Sequence, residues 1–300
     1  MAFILLLIPA EPAGAQPTQI GMSWVAFPSQ LTDPAANEVM LNALLARPSG
    51  VGPFPALVLL HGCGGLLTAT RALVSRYRAW AELLLADGYV VLLVDSFNSR
   101  GFREECTRSP QPVSSSTDRP ADARGALAYL QSQDFVDGDR AGLVGWSHGG
   151  ASTLATVVGP LDGQSDQSSS ESDTEGGARF RTAIAFYPGC RAAAAPRRVA
   201  SSVPLLILVG EADDWTPVGP CRTLLTRAAE SPEPLTLKTY PGAYHAFDDP
   251  NTPVHVRTDV RAAAQTGGVH LGTDPDARAD ALLTVPAFLG RYLKPGPAAE

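Results

Sequence analysis

Short apolar runs alternate with segments of helical periodicity along most of the chain. The runs are mainly apolar and are bounded by glycine, proline or polar residues, which is typical of buried strands. They comprise residues 55–60, 89–94, 141–144, 180–187, 204–209 and 235–240. The helical segments comprise residues 69–86, 118–131, 150–158, 220–229 and 276–293. This alternation predicts an α/β fold in which helices cover a mostly parallel sheet.

One stretch interrupts the alternation. Residues 162–177 are rich in Ser, Asp, Glu and Gly and can bury little apolar surface, so we expect a low-complexity surface loop there. No repeat and no long linker divides the chain. Residues 16–300 are therefore expected to form a single domain.

The first residues form a separate pattern. Residues 3–9 are apolar and are followed by Ala13-Gly14-Ala15, a small-x-small sequence that a signal peptidase can cut. The run is too short to span a bilayer, and no Lys or Arg precedes it. We interpret residues 1–15 as a truncated signal peptide, which predicts export. A buried first strand in a cytoplasmic protein is the alternative.

Composition and charge exclude one class of partner. The formal net charge is −7 and the arginines form no run, so a nucleic-acid partner is not expected. The chain has four cysteines, of which no pair has zinc-ligand spacing. An even number suits an oxidising compartment, although four buried thiols in a cytosolic protein are the alternative.

A possible nucleophile lies in the sequence Gly145-Trp146-Ser147-His148-Gly149, between a predicted strand and a predicted helix. A G-x-S-x-G turn in this context exposes the serine hydroxyl above the sheet and aims the next backbone N–H at the same point. The glycines are needed because a Cβ would collide with the neighbouring strand and helix. Ser147 is therefore a candidate nucleophile, whereas a glycine-rich turn with an idle serine is the structural alternative.

A serine nucleophile needs a base and a carboxylate that orients the base. His245 follows the predicted strand 235–240 in a glycine-containing loop, and we assign it as the base. Asp213 stands in an acidic segment after the strand 204–209 and is our candidate acid. Asp214 is the neighbouring alternative, and one of the two could instead cap the following helix.

The loop after the first predicted strand supplies the remaining part of such a site. It reads His61-Gly62-Cys63-Gly64-Gly65, and its glycines allow the backbone to approach a substrate closely. An oxyanion hole needs two backbone N–H donors near the serine, and we assign them to Cys63 and His148. A simple turn is the alternative.

Together these motifs resemble the dienelactone hydrolase family of the α/β-hydrolases, over about residues 41–293. The motifs that carry the resemblance are the segments 61–65, 95–97, 100–101, 145–150, 186–190, 210–213 and 245–247. The resemblance implies a sheet of about eight strands with helices on both faces. It also implies hydrolysis of esters or lactones without a cofactor or metal, by residues matching Ser147, Asp213 and His245.

The chain departs from this family at two positions. The dienelactone enzymes use a cysteine nucleophile where this chain has Ser147, and they carry an arginine where this chain has Asp249. Residues 187–204 are too few for a large cap domain. We therefore expect a serine esterase for small or soluble carboxylic esters, with lactones less favoured. A peptidase or acyltransferase of the same fold, and a non-catalytic binding protein, are the alternatives, and the oligomeric state is open.

Two further expectations concern substrate contacts and cysteine pairing. Arg100 is expected at the sheet edge, where it binds a substrate carboxylate or pairs with Glu104 or Glu105. Trp146 is a second candidate for substrate contact. In the usual α/β-hydrolase strand order, the strands that precede the paired cysteines are neighbours, which favours the disulfides Cys63–Cys106 and Cys190–Cys221.

Overall fold

Eight strands form the central sheet of the protein. The computed structural model describes residues 21–32, 38–161, 179–195 and 198–294. The strands of the central sheet are β1 (Met22–Thr32), β2 (Glu38–Ala46), β3 (Phe54–Leu60), β4 (Val90–Asp95), β5 (Val136–Trp146), β7 (Thr182–Phe186), β9 (Leu205–Gly210) and β10 (Leu235–Tyr240). Two small sheets pair β6 (Val158–Pro160) with β8 (Val199–Ser201) and β11 (His255–Arg257) with β12 (Val269–Leu271). The order across the main sheet is β1-β2-β4-β3-β5-β7-β9-β10.

The sheet is parallel except at one edge. β2 pairs antiparallel with both β1 and β4, and the other neighbours in the main sheet are parallel. The predicted α/β fold with about eight strands is confirmed. The chain winds outward from β3 to β4 and then returns to place β5 on the other side of β3. A crevice for ligands is expected at the carboxyl ends of β3 and β5, because loops diverge at such a reversal of strand order.

Helices cover both faces of the sheet. They are α1 (Ser75–Ala86), α2 (Asp118–Gln131), α3 (His148–Val157), α4 (Gly219–Arg227) and α6 (Pro275–Leu293), whereas the short α5 (Ala263–Thr266) lies between β11 and β12 and packs near Cys63 and Cys106. Side chains of β3 alternate between the layers: Val58 and Leu60 join the core with α2, α3 and α4, whereas Leu57 and Leu59 join the core with α1 and α6. This alternation follows from the two-residue period of a strand, and it explains why both faces of β3 are apolar.

The predicted elements are present with shifted ends. The helix predicted over 69–86 begins only at Ser75, because Leu67 and Leu73 form a bridge around a turn in which Arg71 has φ of 63°. The antiparallel strands β1 and β2 were not predicted. β1 contains Pro28 and exposes alternate residues, which is compatible with an edge strand but gives only a weak strand signal in the sequence.

Two predicted segments lie outside the described residues: the signal peptide at 1–15 and the low-complexity loop at 162–177. Export and the single-domain organisation of residues 16–300 stay predictions. None of the helices in the described part of the chain is long and apolar enough to cross a membrane.

Candidate active site

Ser147 occupies a strained turn between β5 and α3. Its φ is 52° and ψ is −111°, a backbone conformation that L-residues rarely adopt. A Cβ added at Gly145 would lie 2.2 Å from the carbonyl oxygen of Gly149, and one added at Gly149 would lie 2.1 Å from the carbonyl oxygen of Leu60. Only glycine fits at either position. The turn thus has the geometry that the G-x-S-x-G motif predicts.

His245 and Asp213 complete a line of hydrogen bonds from Ser147. The hydroxyl of Ser147 lies 3.0 Å from Nε2 of His245, and Nδ1 of His245 lies 2.8 Å from Oδ2 of Asp213. All three residues are buried: 8% of the surface of Ser147, 4% of that of His245 and 3% of that of Asp213 is exposed. These partners require the tautomer with the proton on Nδ1, which leaves Nε2 free to accept the proton of the serine.

Asp213 is itself held in place by the start of the following loop. Its Oδ1 accepts the backbone N–H groups of Trp215 and Thr216 at 2.9 and 2.8 Å, and the hydroxyl of Thr216 donates to Oδ2 at 2.9 Å. These donors fix the orientation of the carboxylate beside the imidazole of His245. A carboxylate in this place can stabilise the positive charge that the imidazole gains in the reaction.

Asp214 has a different partner. Its carboxylate binds the ring Nδ1 and the backbone N–H of His270 in β12, both at 2.7 Å. The helix α4 begins at Gly219 after Val218, so neither Asp213 nor Asp214 caps it, as the sequence had allowed. Of the two candidate acids, only Asp213 contacts His245.

The segment 61–65 lies directly against the turn that carries Ser147. A Cβ added at Gly62 would lie 3.4 Å from the Cβ of Ser147. The N–H of Gly62 donates to the hydroxyl of Tyr77 at 2.8 Å, and the carbonyl of Cys63 accepts the N–H of Glu105 at 2.8 Å. His148 is the first residue of α3, where backbone N–H groups have no acceptor within the helix. Cys63 and His148 thus lie in the two segments that meet at Ser147, and the assignment of their backbone N–H groups as oxyanion-hole donors stays a prediction.

A buried arginine connects these two segments. Nη1 of Arg119 donates to the carbonyl oxygen of His61 at 2.7 Å and to Nδ1 of His148 at 3.0 Å. Burial and the charge of Arg119 lower the pKa of His148 to about 3, and they lower the pKa of His61 well below its ordinary value. Both rings are therefore neutral near pH 7. The side chain of His148 faces Arg119, and its backbone N–H is the group available to a substrate.

A cavity of about 600 Å³ opens over Ser147. Its described lining includes Cys63, His148, Cys190, Trp215 and Arg261. Small-molecule sites typically have volumes of about 300–1,000 Å³, so this cavity has an ordinary size for a small substrate.

Two disulfide bonds lie at this cavity. The structure joins Cys63 to Cys106 and Cys190 to Cys221, which is the connectivity that the strand order favoured. Cys63, Cys106 and Cys190 all line the cavity. The first bond ties the loop that carries Cys63 to the segment around Cys106.

The assignment of Arg100 to substrate binding is corrected by the structure. Its guanidinium forms a bidentate ion pair with Asp122 at 2.8 and 2.9 Å and also donates to the carbonyl of Ser96. Neither Glu104 nor Glu105 is its partner, and Arg100 is not among the described residues that line the cavity. The carboxylate of Asp122 in α2, 22 residues away in sequence, thus occupies the guanidinium of Arg100 in place of a substrate carboxylate.

Trp146 does not contact the cavity either. It is fully buried, its ring stacks on Phe186 with centroids 5.3 Å apart, and its indole N–H donates to Asp248 at 2.8 Å. Strand alternation explains this placement, because Trp146 points into the core when the following turn lifts Ser147 toward the site.

Sequence reasoning missed Thr216 and Arg119. Thr216 follows Asp213 by three residues, a spacing at which an aspartate commonly accepts backbone N–H groups, so this signal was present. Arg119 gave no local signal. It lies within a correctly predicted helix, and its role depends on the loop at His61 and the turn at His148 meeting in the fold.

The neutral state of His148 predicts how stability depends on pH. The unfolded chain binds a proton at this histidine below pH 6.5, whereas the folded protein does so only near pH 3. Stability must therefore fall on acidification across this window, by up to about 1.4 kcal/mol per pH unit. In His148→Asn, an amide oxygen can still accept from Arg119, and we expect a shallower loss of unfolding free energy between pH 6.5 and about pH 4 than in the wild type.

Urea unfolding at several pH values measures this slope. His255→Asn is the control, since it makes the same exchange at an exposed histidine. Burial raises the pKa of Glu105, which gives a slope of opposite sign in the wild type. Equal slopes for the wild type and His148→Asn would contradict the prediction.

The fold and the site together define an α/β-hydrolase. A family model for the prolyl oligopeptidase family matches residues 75–265, which is more than half of the chain, and the chain belongs to this family. Members of this group are hydrolases of ester or peptide type. The α/β-hydrolase fold predicted from the sequence is confirmed, and the solved structures that share it include a protein assigned as a dienelactone hydrolase.

A curated relative is the quorum-quenching protein AidA of Acinetobacter baumannii (strain MDR-ZJ06). The two are 35% identical over 123 residues, which are 41% of this chain. The aligned segment spans only 37% of the length of AidA.

Several solved structures share the fold. Thermogutta terrifontis esterase 2 in its butyrate-bound form is similar with a TM-score of 0.60 and 17% identity, over 94% of this chain and 98% of that one. A Klebsiella pneumoniae protein assigned as a dienelactone hydrolase has a TM-score of 0.57 and 16% identity, over 90% of this chain and all of that one. Porphyromonas gingivalis dipeptidyl peptidase 4 has a TM-score of 0.59 and 18% identity, over 91% of this chain but 36% of that one.

Proposed function

We propose that this protein hydrolyses small or soluble carboxylic esters through an acyl-enzyme intermediate on Ser147. The observation that carries the proposal is the continuous line from the hydroxyl of Ser147 through His245 to Asp213, at the floor of a cavity of about 600 Å³. A serine hydroxyl becomes an effective nucleophile only when a base is placed to take its proton, and this geometry provides one.

The reaction begins with proton transfer from Ser147 to Nε2 of His245. The serine oxygen attacks the ester carbonyl, and the N–H groups of Cys63 and His148 bind the oxygen that becomes negative. Asp213 stabilises the imidazolium, which then donates its proton to the departing alcohol. Water, deprotonated by His245, attacks the acyl-enzyme. The imidazolium then returns this proton to the oxygen of Ser147 as the bond to the acyl group breaks, which releases the acid and restores the starting protonation states.

Ester substrates are favoured over peptides by the size of the site. The cavity fits a small molecule, and the butyrate bound in the Thermogutta esterase is a small carboxylate in a protein of this fold. The prolyl oligopeptidase family supports a peptidase as the second candidate, because the same line of residues can protonate a departing amine.

Three substrate types and one covalent probe test the proposal. We expect the purified protein to turn over p-nitrophenyl acetate and butyrate, to be labelled by a fluorophosphonate and to cleave peptide p-nitroanilides slowly at most. A simple lactone is included because the relatives of this fold include lactone-type enzymes.

The results of these assays distinguish an esterase from a peptidase, an acyltransferase and a binding protein. Faster cleavage of the anilides would favour the peptidase. Labelling without turnover of esters, anilides or the lactone would favour an acyltransferase that uses an acceptor other than water. If the protein is neither labelled by the probe nor active on any of these substrates, the catalytic proposal is overturned and a binding protein is favoured.

A further inference from the structure

Asp248 is a buried carboxylate that the proposed reaction does not use. Only 1% of its surface is exposed. Its Oδ2 accepts the indole N–H groups of Trp80 and Trp146, both at 2.8 Å, and its Oδ1 accepts the hydroxyl of Tyr187 at 2.6 Å. The guanidinium of Arg76 lies 3.7 Å from Oδ1. We call Asp248 and these four partners, Arg76, Trp80, Trp146 and Tyr187, the Asp248 cluster. Burying a carboxylate costs free energy unless hydrogen bonds and charges compensate it, so the stability of Asp248 in this place depends on all of these contacts.

The members of the Asp248 cluster belong to the segments that carry the proposed triad. Trp146 directly precedes Ser147, and Asp248 follows His245 by three residues in the same loop. The ring of Tyr187 packs against the ring of His245 with centroids 4.5 Å apart.

Tyr187 also connects the cluster to the third triad segment. Its backbone carbonyl oxygen lies 3.0 Å from the hydroxyl oxygen of Thr216, which is also 2.9 Å from Oδ2 of Asp213, so the single hydroxyl proton of Thr216 is shared between these two acceptors. One carboxylate is therefore bonded, directly or through one neighbour, to the nucleophile turn, the histidine loop and the acid loop.

Backbone strain coincides with these contacts. The non-glycine residues with positive φ in the described part of the chain are Arg71, Ser147, Tyr187 and Ala246. Three of the four lie at the proposed triad: Ser147 itself at 52°, Ala246 next to His245 at 62°, and Tyr187, whose ring packs against His245, at 34°. Each is within two residues of, or identical with, a member of the Asp248 cluster. Strained backbone persists only where surrounding contacts over-determine it, and this cluster supplies such contacts.

We propose that Asp248 is a positioning residue that holds the strained turns of Ser147 and His245 at reacting distance. The proposal rests on the function proposed above. Asp248 does not touch the reacting atoms. Its carboxylate accepts hydrogen bonds from Trp146, which directly precedes Ser147, and from Tyr187, whose ring packs against the imidazole of His245. A misplacement of about 1 Å in an active site can lower the rate about 10²-fold, so the effect of Asp248 on kcat is large enough to measure.

Two matched pairs of variants test this role. Asp248→Asn keeps the size of the side chain, but its NH₂ group cannot accept a proton from Tyr187 or from an indole, so one of the three hydrogen bonds is lost or reversed in direction, and the negative charge that faces Arg76 is removed. Asp249→Asn is its control, because Asp249 is also buried and pairs with Arg76 at 2.9 Å. We expect kcat to fall about 10²-fold in Asp248→Asn with KM little changed, and to stay near the wild-type value in Asp249→Asn.

The second pair removes single hydroxyl groups and guards against misfolding of Asp248→Asn. Tyr187→Phe deletes the donor to Asp248 and retains the ring beside His245. Tyr240→Phe is the control, since Tyr240 is also buried and donates to a different carboxylate, Asp280, at 2.9 Å. We expect about a tenfold fall in kcat for Tyr187→Phe alone, with a parallel fall in the rate of fluorophosphonate labelling.

A purely structural role would lower the unfolding temperature of Asp248→Asn and Tyr187→Phe without changing kcat below that temperature, and this result would overturn the proposal. Equal losses of kcat within each pair would overturn it as well. Failure of the underlying function has a different signature: ester turnover would then survive in Ser147→Ala, whatever the Asp248 variants did.

Discussion

Replacing Ser147 with alanine is expected to abolish ester hydrolysis and leave the protein folded. The substitution removes the oxygen that lies 3.0 Å from His245 and changes nothing else in the turn. Loss of the nucleophile from such a triad lowers kcat by about 10⁶-fold. Steady-state rates with p-nitrophenyl acetate measure the effect, and circular dichroism with thermal unfolding checks the fold.

Ser152→Ala is the control for this experiment. Ser152 is also buried, lies one turn further along α3 and donates its hydroxyl to the carbonyl of His148 at 2.9 Å. We expect its kcat to stay near that of the wild type. Turnover by Ser147→Ala at the wild-type rate would rule out the covalent mechanism.

Replacing Asp213 with asparagine is expected to lower kcat by about 10⁴-fold, the effect of the wrong histidine tautomer in a triad of this kind. Asparagine retains an oxygen for the N–H groups of Trp215 and Thr216, so the loop should keep its shape. Its amide cannot stabilise the imidazolium of His245 as the carboxylate does.

Asp214→Asn is the matched comparison, because it removes the neighbouring carboxylate. Asp214 binds His270 and holds β12, so its loss should lower the unfolding temperature and change kcat little. A larger fall in kcat for Asp214→Asn than for Asp213→Asn would place the functional acid one residue further along the chain.

The parallel part of the main sheet and the candidate triad were predictable for the same physical reason. Parallel strands present their carboxyl ends at one edge, so residues that follow β5, β9 and β10 must gather there. Ser147, Asp213 and His245 each follow one of these strands, and their order along the chain matches the α/β-hydrolase pattern. The disulfide connectivity followed from the same reasoning, because neighbouring strands deliver the paired cysteines to one edge.

Side-chain direction was less predictable. Arg100 has the chemistry of a carboxylate-binding residue, and it does bind a carboxylate, but the partner is Asp122 on α2. Trp146 has the size and chemistry of a substrate contact, but it points into the core. In both cases the residue type predicted a kind of contact, whereas the packing of a distant element determined the partner.

The sequence by itself determined the α/β architecture and the residues that can form a triad, because these depend on local periodicity, on glycines that permit close approach and on the order of the strand ends. Only the tertiary structure decided between Asp213 and Asp214, whose adjacent carboxylates have the same chemistry and differ only in what the fold brings near them. It also decided the role of Arg119, which connects His61 to His148, and the surroundings of Asp248, which gathers donors from α1, β5 and the turn after β7. Such contacts join residues far apart in sequence, and no local pattern encodes which distant donor meets a buried carboxylate.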